Sequence, residues 1–215
     1  MSREAKILTA ILVLVVGAMV GLFVLTGSGS DKPASTEKAD SSKLIRDNSH
    51  KQGSGSVTVV EFGDFQCPSC GQAQPVVERI KQEYGDKITF VFRNFPLPMH
   101  QNAIAAAKAA EAAGAQNKYW EMNSKLYANQ QEWSELSNPS ESFIKYANEV
   151  GVADIERFKK EIGDNTHTAF IEADKSDGEA LGVQGTPTFY INGQQSDSFT
   201  YQNLKQLIDQ QLGQK

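Results

Sequence analysis

The sequence predicts an α/β fold: a mixed central sheet flanked by helices, interrupted by a helical block and preceded by a membrane-spanning segment. Three observations carry this. Strand, helix and strand patterns follow one another between Val57 and Phe95. Strand patterns return only at Thr188, after a long stretch of helical periodicity. An uncharged apolar run of 19 residues, Ile7 to Leu25, lies near the N-terminus. The 215 residues allow one domain or two. Hydrophobic residues at 40% and charged residues at 22% argue against disorder over most of the length. A net charge of -5 without a basic stripe argues against nucleic acid as a partner. A mean hydropathy of -0.41 excludes a polytopic membrane protein.

The apolar run matches the roughly 20 residues a spanning helix needs and exceeds the roughly 7–15 of a cleaved signal's apolar region. Arg3 and Lys6 precede it, and the TGSGSD that follows has no early positive charge. The positive-inside rule then places the N-terminus in the cytoplasm and the remainder outside the cell membrane. Residues 1–26 read as a cytoplasmic stub and transmembrane anchor, with a cleaved signal as the alternative. Residues 27–42, rich in Ser, Gly, Lys, Asp and Ala, cannot bury a core and read as a flexible linker. The folded unit is expected over 43–213, with Leu44-Ile45-Arg46 as a short edge strand.

Within that unit, VTVVEF at 57–62 is apolar on both faces apart from Glu61, the pattern of a central strand. A helix is predicted from Pro68 to Tyr84, with Pro68 in the first turn, a kink at Pro75 and a stop at Gly85. ITFVFRNF at 88–95 is the second strand of a βαβ unit. A helical insertion is expected over about 98–178. Its first helix, Asn102–Ala113, is alanine-rich and is expected to end on Gly114 as its C′ residue. Trp120, Asn123, Leu126 and Tyr127 share a face of the next. Helices over 139–150, 153–162 and 166–181 follow, the second with Ile155, Phe158 and Ile162 on one side. Thr188–Ile191 is a strand, Asn192-Gly193 a two-residue hairpin turn, and Asp197–Thr200 the expected return strand. Tyr201–Leu212 closes the chain as an amphipathic helix.

The chemistry centres on the two cysteines, Cys67 and Cys70. Their C-x-x-C spacing beside a βαβ unit reads as a redox pair. Cys67 falls at a helix N-terminus, where free N–H groups and the helix dipole stabilise a thiolate. Cys70 lies one turn on, within reach to resolve a mixed disulfide. A structural cross-link is the first alternative, but so short a loop removes little chain entropy. A metal site is the second, but His50, His100 and His167 have no ligand-like spacing to the pair. No metal and no cofactor beyond the redox-active disulfide is expected.

EFGDFQCPSC at 61–70, RNFPL at 93–97, the Trp120 helix and GVQGTPTFYING at 182–193 together resemble one family. These segments are similar to the thioredoxin-fold thiol:disulfide oxidoreductases of the DsbA type, especially the membrane-anchored DsbA/BdbD-like proteins of bacteria. The resemblance covers about residues 57–212. It implies a cis peptide at Thr186-Pro187, close to Cys67-Pro68-Ser69-Cys70, in the loop that holds substrate chains. It also implies that Glu61 is a buried acid beneath the pair. Glu61 shares a strand face with Val57 and Val59, so its pKa would be raised and it could relay a proton to or from Cys70; an exposed strand-end glutamate is the other reading. One departure stands out: strongly oxidising members often carry His where this chain has Ser69. His100 reads as a helix-end residue, Arg93 as a solvated arginine, and Trp120 and Trp133 as core of the insertion.

Three functions are compatible with these residues. The first is an extracytoplasmic oxidase that introduces disulfides into exported, cysteine-containing proteins. The second is a reductase or isomerase on the same fold. The third is a tethered chaperone-like binding module whose cysteines are incidental. With no further cysteines to relay electrons, either redox function requires a membrane redox partner that resets the pair.

Overall fold

The computed structural model describes residues 38–213. The expected anchor and most of the expected linker lie outside the described residues; among the described residues no helix is long and apolar enough to cross a membrane. The described chain begins with a short helix, α1 (Ser41–Leu44), capped by the Asp40 side chain accepting from Ser42 N–H. Strand β1 is His50–Gln52 and β2 is Val57–Gly63. Helix α2 runs Pro68–Tyr84 with Pro75 inside it, and β3 is Ile88–Asn94. Six helices make the block between β3 and β4: α3 (Ala103–Gly114), α4 (Tyr119–Ala128), α5 (Gln130–Trp133), α6 (Ser140–Glu149), α7 (Ile155–Gly163) and α8 (Thr168–Ala180). The chain closes with β4 (Thr188–Ile191), β5 (Gln194–Gln195) and α9 (Tyr201–Gly213).

The five strands lie in the order β1-β3-β2-β4-β5. β2 and β3 are parallel, as a βαβ unit requires, and the other pairings are antiparallel. The central strand β2 is buried on both faces, which explains its nearly continuous apolar sequence. On one face Val57, Val59, Phe90 and Phe92 pack with Ala73, Val77 and Ile80 of α2 and with the helical block. On the other, Val60, Phe62, Val91 and Tyr190 pack with Leu44, Phe95 and Val183.

Several expectations are corrected. Leu44-Ile45-Arg46 is not the edge strand: Leu44 ends α1 with its side chain buried, and the edge pairing falls to His50–Gln52 against Phe90–Phe92. Gly114 is the last residue of α3 rather than a left-handed cap; the positive φ falls at Asn117, at 62°. Arg93 is fully buried, not solvated. Its Nε donates to Asp174 and its Nη2 to Asp177, both at 2.7 Å, and its Nη1 to the carbonyls of Lys43 and Leu44. These bonds occupy most of the guanidinium's donors, the condition under which so strong a cation is tolerated inside.

The hairpin at Asn192-Gly193 also departs from expectation in its return strand, which is Gln194–Gln195, not Asp197–Thr200. A two-residue turn leaves no room for an interval before pairing resumes. Both turn residues are left-handed, at φ 47° and 87°. The Asn192 side chain stabilises its own conformation by accepting from Thr58 N–H at 2.8 Å. A Cβ on Gly193 would be strained by that φ, so Gly193→Ala is expected to lose about 1–2 kcal/mol. A thermal melt checks this, and an unchanged midpoint would contradict it.

Candidate active site

Strand β2 delivers the chain to the site. Beyond Gly63, Asp64 folds the loop: its Oδ1 accepts from Gln66 N–H at 2.8 Å, and its Oδ2 accepts from Leu97 N–H at 2.8 Å and lies 2.7 Å from His100 Nδ1. Cys67 N–H donates to Asp64 O, and Cys67 becomes the N-cap of α2, with φ -66° and ψ 121°. Pro68 occupies the first helical position, where a missing N–H costs nothing. The helical block holds the same loop from the other side. Gln66 Nε2 donates to Ser134 O, and Gln66 Oε1 accepts from Asn102 N–H. Gln130 Nε2 donates to the carbonyls of Phe65 and Cys67.

The two sulfurs differ sharply. Both cysteines are free thiols and both are buried, Cys67 at 6% exposure and Cys70 at 0%. A hydrogen bond from the Cys70 thiol, opposed by burial, is the largest influence on Cys67 and lowers its pKa to about 5. Thr186 and the N–H groups of Ser69 and Cys70 act in the same direction. Burial pushes the Cys70 thiol well up, with its hydrogen bond to Cys67 adding to the effect. One sulfur is therefore a thiolate at neutral pH and the other a protonated thiol.

Glu61 lies beneath this pair at 1% exposure, which removes the exposed strand-end reading. Burial raises its carboxyl to about 8, against the opposing charge of Lys81. Its Oε2 has no hydrogen-bond partner, and neither do the buried Tyr127 hydroxyl and Asn123 Nδ2 on α4. Thr186-Pro187 is cis, and Thr186 O lies 3.4 Å from Cys67 Sγ.

The structure thus brings Cys67, Pro68, Ser69, Cys70, Glu61, Thr186 and Pro187 to one end of the sheet. His100 does not reach the sulfurs; it supports Asp64. Trp133 is fully buried in the block, as expected, whereas Trp120 is only partly buried and packs on Phe90. Sequence reasoning missed Asp64, Gln66, Asn102 and Gln130. Asp64 had a usable signal, an Asp two residues before Gln66 in a short loop, the pattern of an Asx turn. Gln130 had none, because its partners lie more than 60 residues away in the chain. Among the described residues no cluster of three or more His, Cys, Asp or Glu could hold a metal ion.

The thioredoxin family model matches residues 51–210. A probable disulfide bond formation protein D from Bacillus cereus is 33% identical over 162 residues, 73% of this chain and 74% of that protein. A Na(+)/H(+) antiporter NhaA 1 from Salinispora arenicola is 39% identical over 150 residues, 68% of this chain but only 22% of the antiporter. The chain therefore spans under a quarter of that relative's length, and the match says nothing of transport. Among solved structures, oxidised BdbD from Bacillus subtilis shares the fold, with a TM-score of 0.70 at 24% identity, covering 82% of this chain and 96% of that one.

Proposed function

This chain belongs to the thioredoxin family, among its DsbA- and BdbD-type thiol:disulfide oxidoreductases, and from that premise we propose that it works as an oxidase outside the cytoplasm. Its substrates are exported proteins with free cysteines, and a membrane redox partner restores its disulfide. The observation that carries the direction is the asymmetry of the two sulfurs, with Cys67 low and Cys70 high.

In the oxidised protein a substrate thiolate attacks Cys67 Sγ. The Cys67–Cys70 bond breaks, a mixed disulfide forms, and Cys70 leaves with the electron pair. Because Cys70 is buried, it must take a proton, and Glu61, protonated at neutral pH through its raised pKa, is placed to supply it. A second substrate thiolate then attacks the substrate sulfur of the mixed disulfide. Cys67 departs as a thiolate, and its low pKa makes it a good leaving group. The substrate has lost two electrons and gained a disulfide; the protein has gained two and become a dithiol. The Thr186-Pro187 loop, beside Cys67 Sγ, is where the substrate chain would lie during this exchange.

A reductase or isomerase reading draws on Ser69, whose side chain offers the thiolate only a hydroxyl dipole and not the cationic partner a histidine would supply. The apolar run at 7–25 supports the outward location, and a reporter fused after residue 30 is expected to be exported and membrane-bound. The activity test mixes the oxidised chain with a reduced, unfolded secreted protein. Wild type is expected to form disulfides in it with matching loss of its own, and Cys67→Ala none. A Cys67→Ala protein with full activity would select the binding-module reading. A wild type that only reduces disulfides would select the reductase.

A further inference from the structure

We propose that Gln130, in the inserted helical block, is a positioning residue that tunes the Cys67 sulfur through the backbone of the loop before α2. The inference rests on the dithiol/disulfide reading of Cys67 and Cys70 and adds a residue to it. Gln130 Nε2 donates to Phe65 O at 2.7 Å and to Cys67 O at 2.9 Å. Cys67 O also accepts from Gly71 N–H at 3.1 Å, the first hydrogen bond of the helix. Two donors therefore converge on the carbonyl of the residue that carries the thiolate. They draw negative potential away from the sulfur, and they fix the carbonyl's direction so that the Ser69 and Cys70 N–H groups keep facing that sulfur.

A second observation points to the same contact. A Cβ placed on Gly71 would lie 2.7 Å from Gln130 Oε1. The amide rests directly on the backbone of the first turn of α2, and only glycine leaves it room. Gly71 and Gln130 both line a cleft of about 500 Å³, together with Pro68, Tyr127 and Glu132. A glutamine at position 130 supplies the donor without placing a further negative charge beside the thiolate.

Losing the donor disfavours the thiolate and hence the reduced form, so the pair becomes less oxidising. The experiment equilibrates the full chain with reduced and oxidised glutathione and titrates Cys67 by its thiolate absorbance. The proteins are wild type, Gln130→Ala, Gln130→Glu, Gly71→Ala and the Gly71→Ala/Gln130→Ala double variant. Gln130→Ala is expected to shift the equilibrium toward the disulfide by roughly threefold to tenfold, the weight of one hydrogen bond, and to raise the Cys67 pKa. Gln130→Glu is expected to shift both further. Gly71→Ala displaces the amide, so it should reproduce the shift, while its gain in helix propensity offsets part of the stability lost with the two hydrogen bonds. The double variant should equal Gln130→Ala alone, because both changes remove the same contact. Gln130→Ala and Gly71→Ala proteins that equilibrate within twofold of wild type would overturn the role of Gln130. A wild type that does not exchange with glutathione at all would instead overturn the redox reading beneath it.

Discussion

Glu61→Leu is expected to melt higher than wild type at neutral pH and to exchange disulfides more slowly. The carboxyl of Glu61 is raised to about 8 by burial from an ordinary 4.5. A raised carboxylate binds its proton more tightly in the folded state than in the unfolded one. Its cost to stability is absent below the unfolded pKa of 4.5, grows as pH rises, and is complete above about 8. At pH 7 that cost is about 3 kcal/mol, taking 1.36 kcal/mol per unit. Leucine removes it, and for a domain of this size the midpoint should rise by roughly 6–12 °C. At pH 4.5 the gain should shrink by about that amount, leaving only what the unpartnered buried carboxyl oxygen costs when protonated. Under the proposed relay the same change removes the proton donor for Cys70, so substrate oxidation should slow by roughly 100-fold, the usual scale for a lost general acid. Alkylation of Cys67 in the reduced protein should change little. Melts at pH 4.5, 7 and 8.5 with single-turnover exchange rates check both halves. A stability gain independent of pH, or an unchanged exchange rate, would remove Glu61 from the proton path.

The reduced protein is expected to be the more stable form at pH 7, although reduction removes a covalent link. The Cys67 pKa is lowered to about 5 from 9.0. A depressed pKa contributes stability that is complete above the unfolded value and lost as pH falls through the folded one. At pH 7 the thiolate contributes about 3 kcal/mol, or two units. The disulfide closes a four-residue loop, Cys67 to Cys70, and the loop-entropy relation gives it roughly 2 kcal/mol. The reduced form should therefore melt a few degrees higher at pH 7. The order should reverse below about pH 6.5, where the thiolate contribution drops under that of the cross-link. Paired melts of the oxidised and reduced protein across this range test the sign directly. An oxidised form that stays more stable at pH 7 would favour a structural cross-link or a reductase.

What could be read from the residues was what is local in the chain. The central strand 57–62, the helix from Pro68 to Tyr84 and the left-handed Asn192-Gly193 turn all follow from short-range chemistry. Cys67 and Cys70 were legible for the same reason, since their spacing and the helix start place them, whereas Glu61 as a buried acid was implied by the family resemblance, with the strand pattern in agreement. Strand His50–Gln52 was not, because its three polar residues carry no alternation and pair only through β3. Leu44-Ile45 looked like a strand on apolar character, but Leu44 is consumed in burying the end of a short helix. Arg93 reads as a surface residue until its partners, 81 and 84 residues later, fold over it. Gln130 and Asn102 reach the active-site loop only because the helical block packs against it, a long-range contact that no short pattern encodes.

The central claim is that this fold holds the Cys67/Cys70 pair in an oxidising state of high energy. Its reduction potential, measured on the full chain against glutathione, tests this most directly. With Cys67 near 5 and Cys70 raised, the potential is expected above about -200 mV, toward the value of about -120 mV that marks strong oxidants of this class. A potential near about -270 mV, the reducing end of the same scale, would contradict it.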